Sequence, residues 1–327
     1  MNSSRWTVVS AVLAAGIVCA GVAVGAVAYF AGAGGALASR TGPSLSFVPK
    51  DATLIGYVDL KSVASSPLAE TWANDVQGKT PFAALDEIHE STGIDIRNDV
   101  DSVTLAVGPE SVKPERWGIA VAGTFDRDLL ADKLSKTTGR AQTSTYAGTP
   151  LYLASEGTST AMAFPDDSIL LLGEPAYVRE MLDAGAGRKP SAIENVRSWG
   201  FGNFDGEAFW FAGTPPDVLR GLVARGAENA ALRSFAVTGR LETDLVLRAR
   251  GQAADAKTAQ ELADVIRGLI ALGRLRQDAS PHGEALGKLT EAISVERVDD
   301  AIDVNLTVPY DSIRQILSRQ GKDAAQP

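Results

Sequence analysis

Two hydrophobic patterns divide this chain. From residue 6 to residue 39 no side chain is charged, and Thr7 to Ala31 shows no polar face at any helical spacing. A bilayer core of about 30 Å takes roughly 20 apolar residues of helix, so residues 7–31 predict a transmembrane span behind a short cytoplasmic tail, residues 1–6. The run exceeds the roughly 7–15 residues of a secretory h-region. Ala36-Leu37-Ala38 still offers a small-x-small cleavage site that would leave a mature chain beginning at Ser39. Cys19, the only cysteine, follows Val18 and sits inside the apolar run, so it reads as a buried small residue rather than a lipid attachment point. Gly21-x-x-x-Gly25 could bring two such spans together as a homodimer. The flanking charges nearly balance. The mass of sequence after residue 40 places the N-terminus inside and the body beyond the inner membrane.

After the Gly-rich stretch the pattern changes to short periods. Residues 32–50 predict a flexible tether. Thr53–Leu60 alternates as a strand, and Ser65 or Ser66 with Pro67 reads as a helix start. A helix over residues 81–91 follows, then strands at Val103–Val107 and Gly118–Thr124, and a helix capped by Asp126. Four short strands, TSTYAG, PLYLAS, STAMAFP and SILLLG, lead into the helix PAYVREMLDAG. The second half runs through the same order more briefly. EAFWFAG and TPPDVLRGLVARG are strand and helix; SFAVTGRLET and DLVLRARGQ are paired strands. A long helix begins at Asp255, ISVERV and AIDVNLTV form a hairpin at Asp299-Asp300, and PYDSIRQIL closes the chain. The closing helices match, Pro175-x-x-Val178-Arg179-Glu180-Met181-Leu182 against Pro309-x-x-x-Ile313-Arg314-Gln315-Ile316-Leu317. These patterns predict an α+β fold: an N-terminal transmembrane helix followed by two related halves of mainly antiparallel sheet covered by helices. The first repeat spans residues 51–186, a connector 187–204, the second repeat 205–320, and a disordered tail 321–327.

Charge narrows the partners. All 40 acidic residues and 29 of the 31 basic ones lie beyond residue 40, leaving the exported body at −11. Such a surface repels nucleic acid and anionic headgroups as a whole. The body has no cysteine and must be held by its core alone.

Motifs for chemistry fail one by one. His89-Glu90-Ser91-Thr92-Gly93 lacks the second histidine of the helical zinc signature, and the only other histidine, His282, lies between Pro281 and Gly283. Gly157-Thr158-Ser159-Thr160-Ala161 lacks the last glycine of a nucleophile elbow, no Ser-x-x-Lys occurs, and Gly78-Lys79-Thr80 has Ala73 where a phosphate loop needs glycine. Asp95, Asp99 and Asp101 read as a solvated approach to a strand, without the glycine turn and distal glutamate of a calcium loop. No catalytic residue, metal ligand or cofactor is expected. Phe201, Phe204, Phe209, Trp210 and Phe211 are the candidate lining of an apolar pocket.

Val48, Pro49, Asp51, Ala52, Tyr57, Asp59 and Leu60 resemble the opening Val-Pro-x-Asp-Ala…Tyr-x-Asp-Leu of exported bacterial single-anchor proteins of unknown function. The resemblance implies the architecture of anchor and ectodomain, and no site residue. The expected function is a membrane-tethered, non-enzymatic envelope domain that binds or scaffolds a protein partner. The alternatives are a carrier or sensor of an apolar ligand such as a lipid, and a hydrolase working through carboxylates alone.

Overall fold

The computed structural model describes residues 43–67, 94–109, 116–130, 132, 142–153, 160–199, 204–215, 232–275 and 291–312. The expected span over residues 7–31, with Gly21 and Gly25, the tail 321–327, the helix read over 81–91 and all but Thr214 and Pro215 of the helix read over 214–226 lie outside these residues. No helix within them is long and apolar enough to cross a membrane.

Twelve strands form one antiparallel sheet in the order β11-β12-β10-β9-β8-β1-β2-β3-β7-β6-β5-β4. The strands are β1 (Leu54–Asp59), β2 (Val100–Val107), β3 (Trp117–Gly123), β4 (Gln142–Tyr146), β5 (Thr149–Leu153) and β6 (Ala161–Asp166). They continue with β7 (Ile169–Gly173), β8 (Phe209–Gly213), β9 (Leu232–Leu241), β10 (Asp244–Ala253), β11 (Ile293–Val298) and β12 (Ala301–Pro309). A short 3₁₀ turn, Pro43–Phe47, precedes them. Five helices are given with both ends: α1 (Leu60–Ala64), α2 (Ile96–Asp99), α3 (Pro175–Gly185), α4 (Ile193–Trp199) and α5 (Ala256–Leu275); helical backbone is also described at Pro67, at 127–130 behind Asp126, and at 310–312.

This corrects the α+β expectation of two halves, each a helix-covered sheet. The sheet is single and continuous, and among the described residues helices are few beside it. Its seam is the antiparallel pairing of β1 with β8, from Leu54 opposite Gly213 to Val58 opposite Phe209. An open β1 edge and an open β8 edge would each leave a row of unpaired backbone groups beside apolar side chains. Joining them satisfies both. Outward from the seam the arms connect alike, β1-β2-β3-β7-β6 on one side and β8-β9-β10-β12-β11 on the other.

The other boundaries move too. The second part of the expected tether is core: Leu45, Phe47 and Val48 are buried, and Phe47 lies against Gly185 of α3. The expected connector is likewise packed. Lys50 N–H donates to Pro190 O at 3.1 Å, Ala192 N–H donates to Val48 O at 2.9 Å, and Val196 of α4 is buried. Asp59 caps α1, a short helix directly after β1 that the sequence pattern does not predict, its Oδ1 accepting from Ser62 N–H at 2.8 Å; helical backbone begins again at Pro67, where a helix start is expected. Glu174 caps α3 through Ala176 and Tyr177 N–H, with Pro175 in the first turn. Asp255 caps α5, accepting from Thr258 N–H at 2.7 Å.

Apolar side chains occupy both faces. On one face α3, α4 and the 3₁₀ turn cover Tyr57, Ala106, Ala120, Leu151, Leu171 and Trp210, every one at 3% exposure or less. We call this the covered face. On the opposite face α1, Phe125, Leu130 and Tyr310 close over Phe164, Leu170, Phe209, Leu245 and Val308. A third, smaller core seats the first half of α5 on β10 and β12 through Ala259, Leu262, Ala263 and Ile302.

Candidate functional site

Alternation along β2 and β3 makes the two faces unequal. Ser102, Thr104 and Ala106 are buried, while Val103, Leu105 and Val107 between them are only half-buried. On β3, Gly118, Ala120 and Ala122 are buried, and Trp117, Ile119 and Val121 are half-buried. The less buried face is therefore the more hydrophobic one. That reverses the usual arrangement of an antiparallel sheet with a solvated side.

Cross-strand register joins these positions into rows. Leu172 faces Ile119, Ile119 faces Leu105, Leu105 faces Gly56, Gly56 faces Phe211, and Phe211 faces Val237. The neighbouring row runs Trp117, Val107, Leu54, Gly213 and Phe235. Leu54, Leu105, Val107, Trp117, Ile119, Leu172, Phe235 and Val237 are half-buried, and belong to none of the three cores formed by the described residues. None of these side chains titrates. At about 4.8 Å between strands, the six strands from β7 to β9 carry this strip over about 24 Å. Closer to α1 the same face is closed by Leu170 and Phe209. Among the described residues, then, the strip is covered toward α1 and no core extends over its other end; we call it the recess.

Glycine shapes it. A Cβ on Gly56 would stand 2.7 Å from Phe211 Cε1, and one on Gly239 would stand 2.1 Å from Phe209 Cζ. Each ring lies flat across a neighbouring strand because the residue beneath has no side chain.

The structure divides the aromatic run expected to line one pocket. Trp210 points to the covered face, stacked between Phe204 at 4.7 Å and Tyr57 at 5.7 Å. Phe209 and Phe211 are on the half-covered face with ring centroids 6.5 Å apart. Phe201 lies outside the described residues. Phe211 alone of the five borders the strip while remaining half-buried.

Sequence reasoning missed a buried charge on the covered face. Glu207, 1% exposed, accepts from Arg248 at 2.5 Å and pairs with Arg240 at 3.2 Å. Thr238 lies opposite both Trp210 and Arg248, so these residues share one row. Beyond it Arg250 holds Asp303 with two hydrogen bonds, of 2.6 and 2.5 Å. Only the pairing register brings these residues together. Elsewhere, Tyr310 is pushed up to about 12 by burial and then by Asp244 and Glu242, and burial with Asp51 likewise raises Tyr177.

The acidic trio is engaged locally. Asp99 accepts from Asp95 N–H at 2.8 Å, Asp95 accepts from Asn98, and Asp101 pairs with Lys61. Among the described residues no group of three His, Cys, Asp or Glu side chains is placed to hold a metal ion.

No family model matches the chain. No curated protein matches it either. Two crystal forms of TP0453 are similar in structure. Form I has a TM-score of 0.47 at 11% identity, covering 86% of this chain and 99% of that one; form IV has 0.46 at 12%, covering 84% and 96%.

Proposed function

We propose that this chain is a membrane-tethered, non-enzymatic domain of the bacterial cell envelope that holds an apolar, chain-like ligand, a lipid acyl chain, in the recess of the half-covered face. The observation that carries this reading is the uncharged strip around Leu105 and Ile119, half-buried on central strands. An antiparallel sheet that leaves one face to water carries polar residues there, and this face carries none along the strip. The strip's depth favours a narrow occupant over a globular one: none of its residues is among the exposed large hydrophobic side chains. One leaflet of a roughly 30 Å bilayer core is about 15 Å deep, so an acyl chain fits within the strip's length.

Native mass spectrometry of the full chain released from nanodiscs tests the reading. It predicts one lipid retained after the annular lipids are stripped, and its loss in the Leu105→Glu and Ile119→Glu variants. A wild-type chain that releases every lipid, or variants that keep one, would refute it.

A protein partner would meet a separate surface, the charged covered face of β10 and β12 around Arg250 and Asp303, both half-buried. Charge reversal at Arg250 and Asp303 together would leave lipid retention intact and abolish such an association.

A further inference from the structure

The sheet ends in two strands, β11 and β4, and only one of these edges is closed. An outermost strand offers a row of backbone N–H and C=O groups to any chain that can pair with it, and native proteins blunt such edges. On β11 the outward groups are those of Ile293, Val295 and Arg297, because the two-residue turn makes Val298 and Ala301 a hydrogen-bonded pair. Helix α5 lies against this strand, Arg267 donates to Val295 O at 3.0 Å, and Glu296 and Arg297 add charge. That edge is occupied.

Strand β4 has none of these devices. Ala147 and Gly148, at φ 49° and 85°, form the tight turn of its hairpin with β5. The turn makes Tyr146–Thr149 and Ser144–Leu151 hydrogen-bonded pairs, so Thr143 and Thr145 aim their N–H and C=O away from β5. Thr143, Ser144 and Thr145 are exposed, and no hydrogen bond among the described residues reaches those outward groups. Residues 142–149 contain no charged side chain. The strand is also held in place: Tyr146 donates to Asp183 of α3 at 3.0 Å and lies under the Arg179 guanidinium.

The register of this edge is its own complement. Turned about a two-fold axis through Ser144, Thr143 of one copy faces Thr145 of the other, and four backbone hydrogen bonds close. Ser144 then faces Ser144, and Tyr146 faces Gln142. Threonine opposite threonine is a favourable cross-strand pair. An exported body at −11 repels its copy as a whole, and this approach brings no charged side chain of either strand against the other. Because the axis is normal to the sheet, both 3₁₀ turns stay on one side of it, about ten strand spacings or roughly 48 Å apart. The two expected tethers over residues 32–42 extend to about 36 Å each, so both copies reach one bilayer. Five residues a side fall short of the roughly 1,000 Å² of a stable interface in solution, and the shared membrane supplies the missing concentration.

We infer that two copies of this chain, anchored in one membrane, pair β4 against β4 and continue the sheet across the two-fold axis. The contact lies three strands from the recess and does not depend on it.

The test is cysteine crosslinking of the full chain in liposomes, in a Cys19→Ser background. At the axis, Ser144→Cys places two Cα atoms about 4.5 Å apart, within disulfide range. Thr143→Cys stands two residues out of register from its own copy, about 8–9 Å away and beyond that range. Ser294→Cys puts an exposed thiol on the other edge strand. Oxidation with copper phenanthroline should link Ser144→Cys into dimers and leave the other two as monomers. Adding Thr145→Pro removes an N–H that the sheet's own ladder does not use, and should abolish the link while the urea midpoint stays that of the parent. If the proline lowers the midpoint, the contrast between Ser144→Cys and Thr143→Cys decides alone. Equal linking at all three positions, as pairing through the spans alone would give, overturns the inference. So does an unlinked Ser144→Cys, a link that survives Thr145→Pro, or capture of a different protein by Ser144→Cys in native membranes.

Discussion

Two glycines under two phenylalanine rings make a sharp experiment, because the same substitution meets different surroundings. In Gly239→Ala the new methyl lies 2.1–2.7 Å from three atoms of the Phe209 ring. Carbon atoms pack at about 3.5–4.0 Å, so the ring must move by about 1.5 Å. Phe209 is 1% exposed and enclosed on all sides, and overpacking of this kind costs about 1–3 kcal/mol. Alanine recovers roughly 0.5–1 kcal/mol through its lower backbone entropy when unfolded. The net expectation is a loss of about 1–2 kcal/mol. In Gly56→Ala the contact is 2.7 Å to Phe211, whose ring is half-buried and can swing toward the open recess. There the two effects offset, and stability stays within about 0.5 kcal/mol of wild type. Urea titration measures both through the midpoint at constant slope. The cause is isolated by a double-mutant cycle: with Phe209→Ala already present, Gly239→Ala should cost nothing further. Equal effects at the two glycines, or a Gly239→Ala penalty that survives removal of the Phe209 ring, would refute the reasoning.

Two further outcomes follow from particular contacts. Phe47→Ala should cost about 3–5 kcal/mol, the value for a buried phenylalanine; a change within about 0.5 kcal/mol would return residues 43–50 to the tether. Asp183 is subject to burial, which alone would raise its carboxyl, but hydrogen bonds from Arg188 at 2.8 Å and Tyr146 at 3.0 Å, with Lys189 nearby, hold it below its ordinary value. Its folded value being depressed, its contribution is complete above the ordinary aspartate range near 3.9 and fades as pH falls through the lowered value. Asp183→Asn should therefore destabilise the protein at neutral pH and flatten the acid limb of its stability curve; an unchanged acid limb would contradict this.

Local structure was legible where periodicity alone decides it. The alternation of Val103–Val107 and of Gly118–Thr124 gives β2 and β3, Pro175 marks the first turn of α3, and Asp255 marks the start of α5. The single sheet was not legible. It depends on β1 meeting β8 some 150 residues later, and pairing at that distance leaves no local pattern. Composition misled at Pro43–Phe47, where a Gly- and Ser-rich run ends inside the core. The aromatic run misled for a reason the sequence contained: along a strand Trp210 must point away from Phe209 and Phe211. Glu207 gave no signal, because its arginines belong to two other strands. The recess was hidden in the same way, since half-burial of apolar residues is set by what lies over the sheet.

The occupant of that recess is the central claim, and photo-crosslinking reads it directly. A diazirine-bearing fatty acid, incorporated into the lipids around the full chain and activated in native membranes, is predicted to label peptides of β2 and β3 at Leu105, Ile119 or their neighbours, with labelling lost in Leu105→Glu. Labelling confined to residues 7–31, with β2 and β3 unmodified, would contradict it.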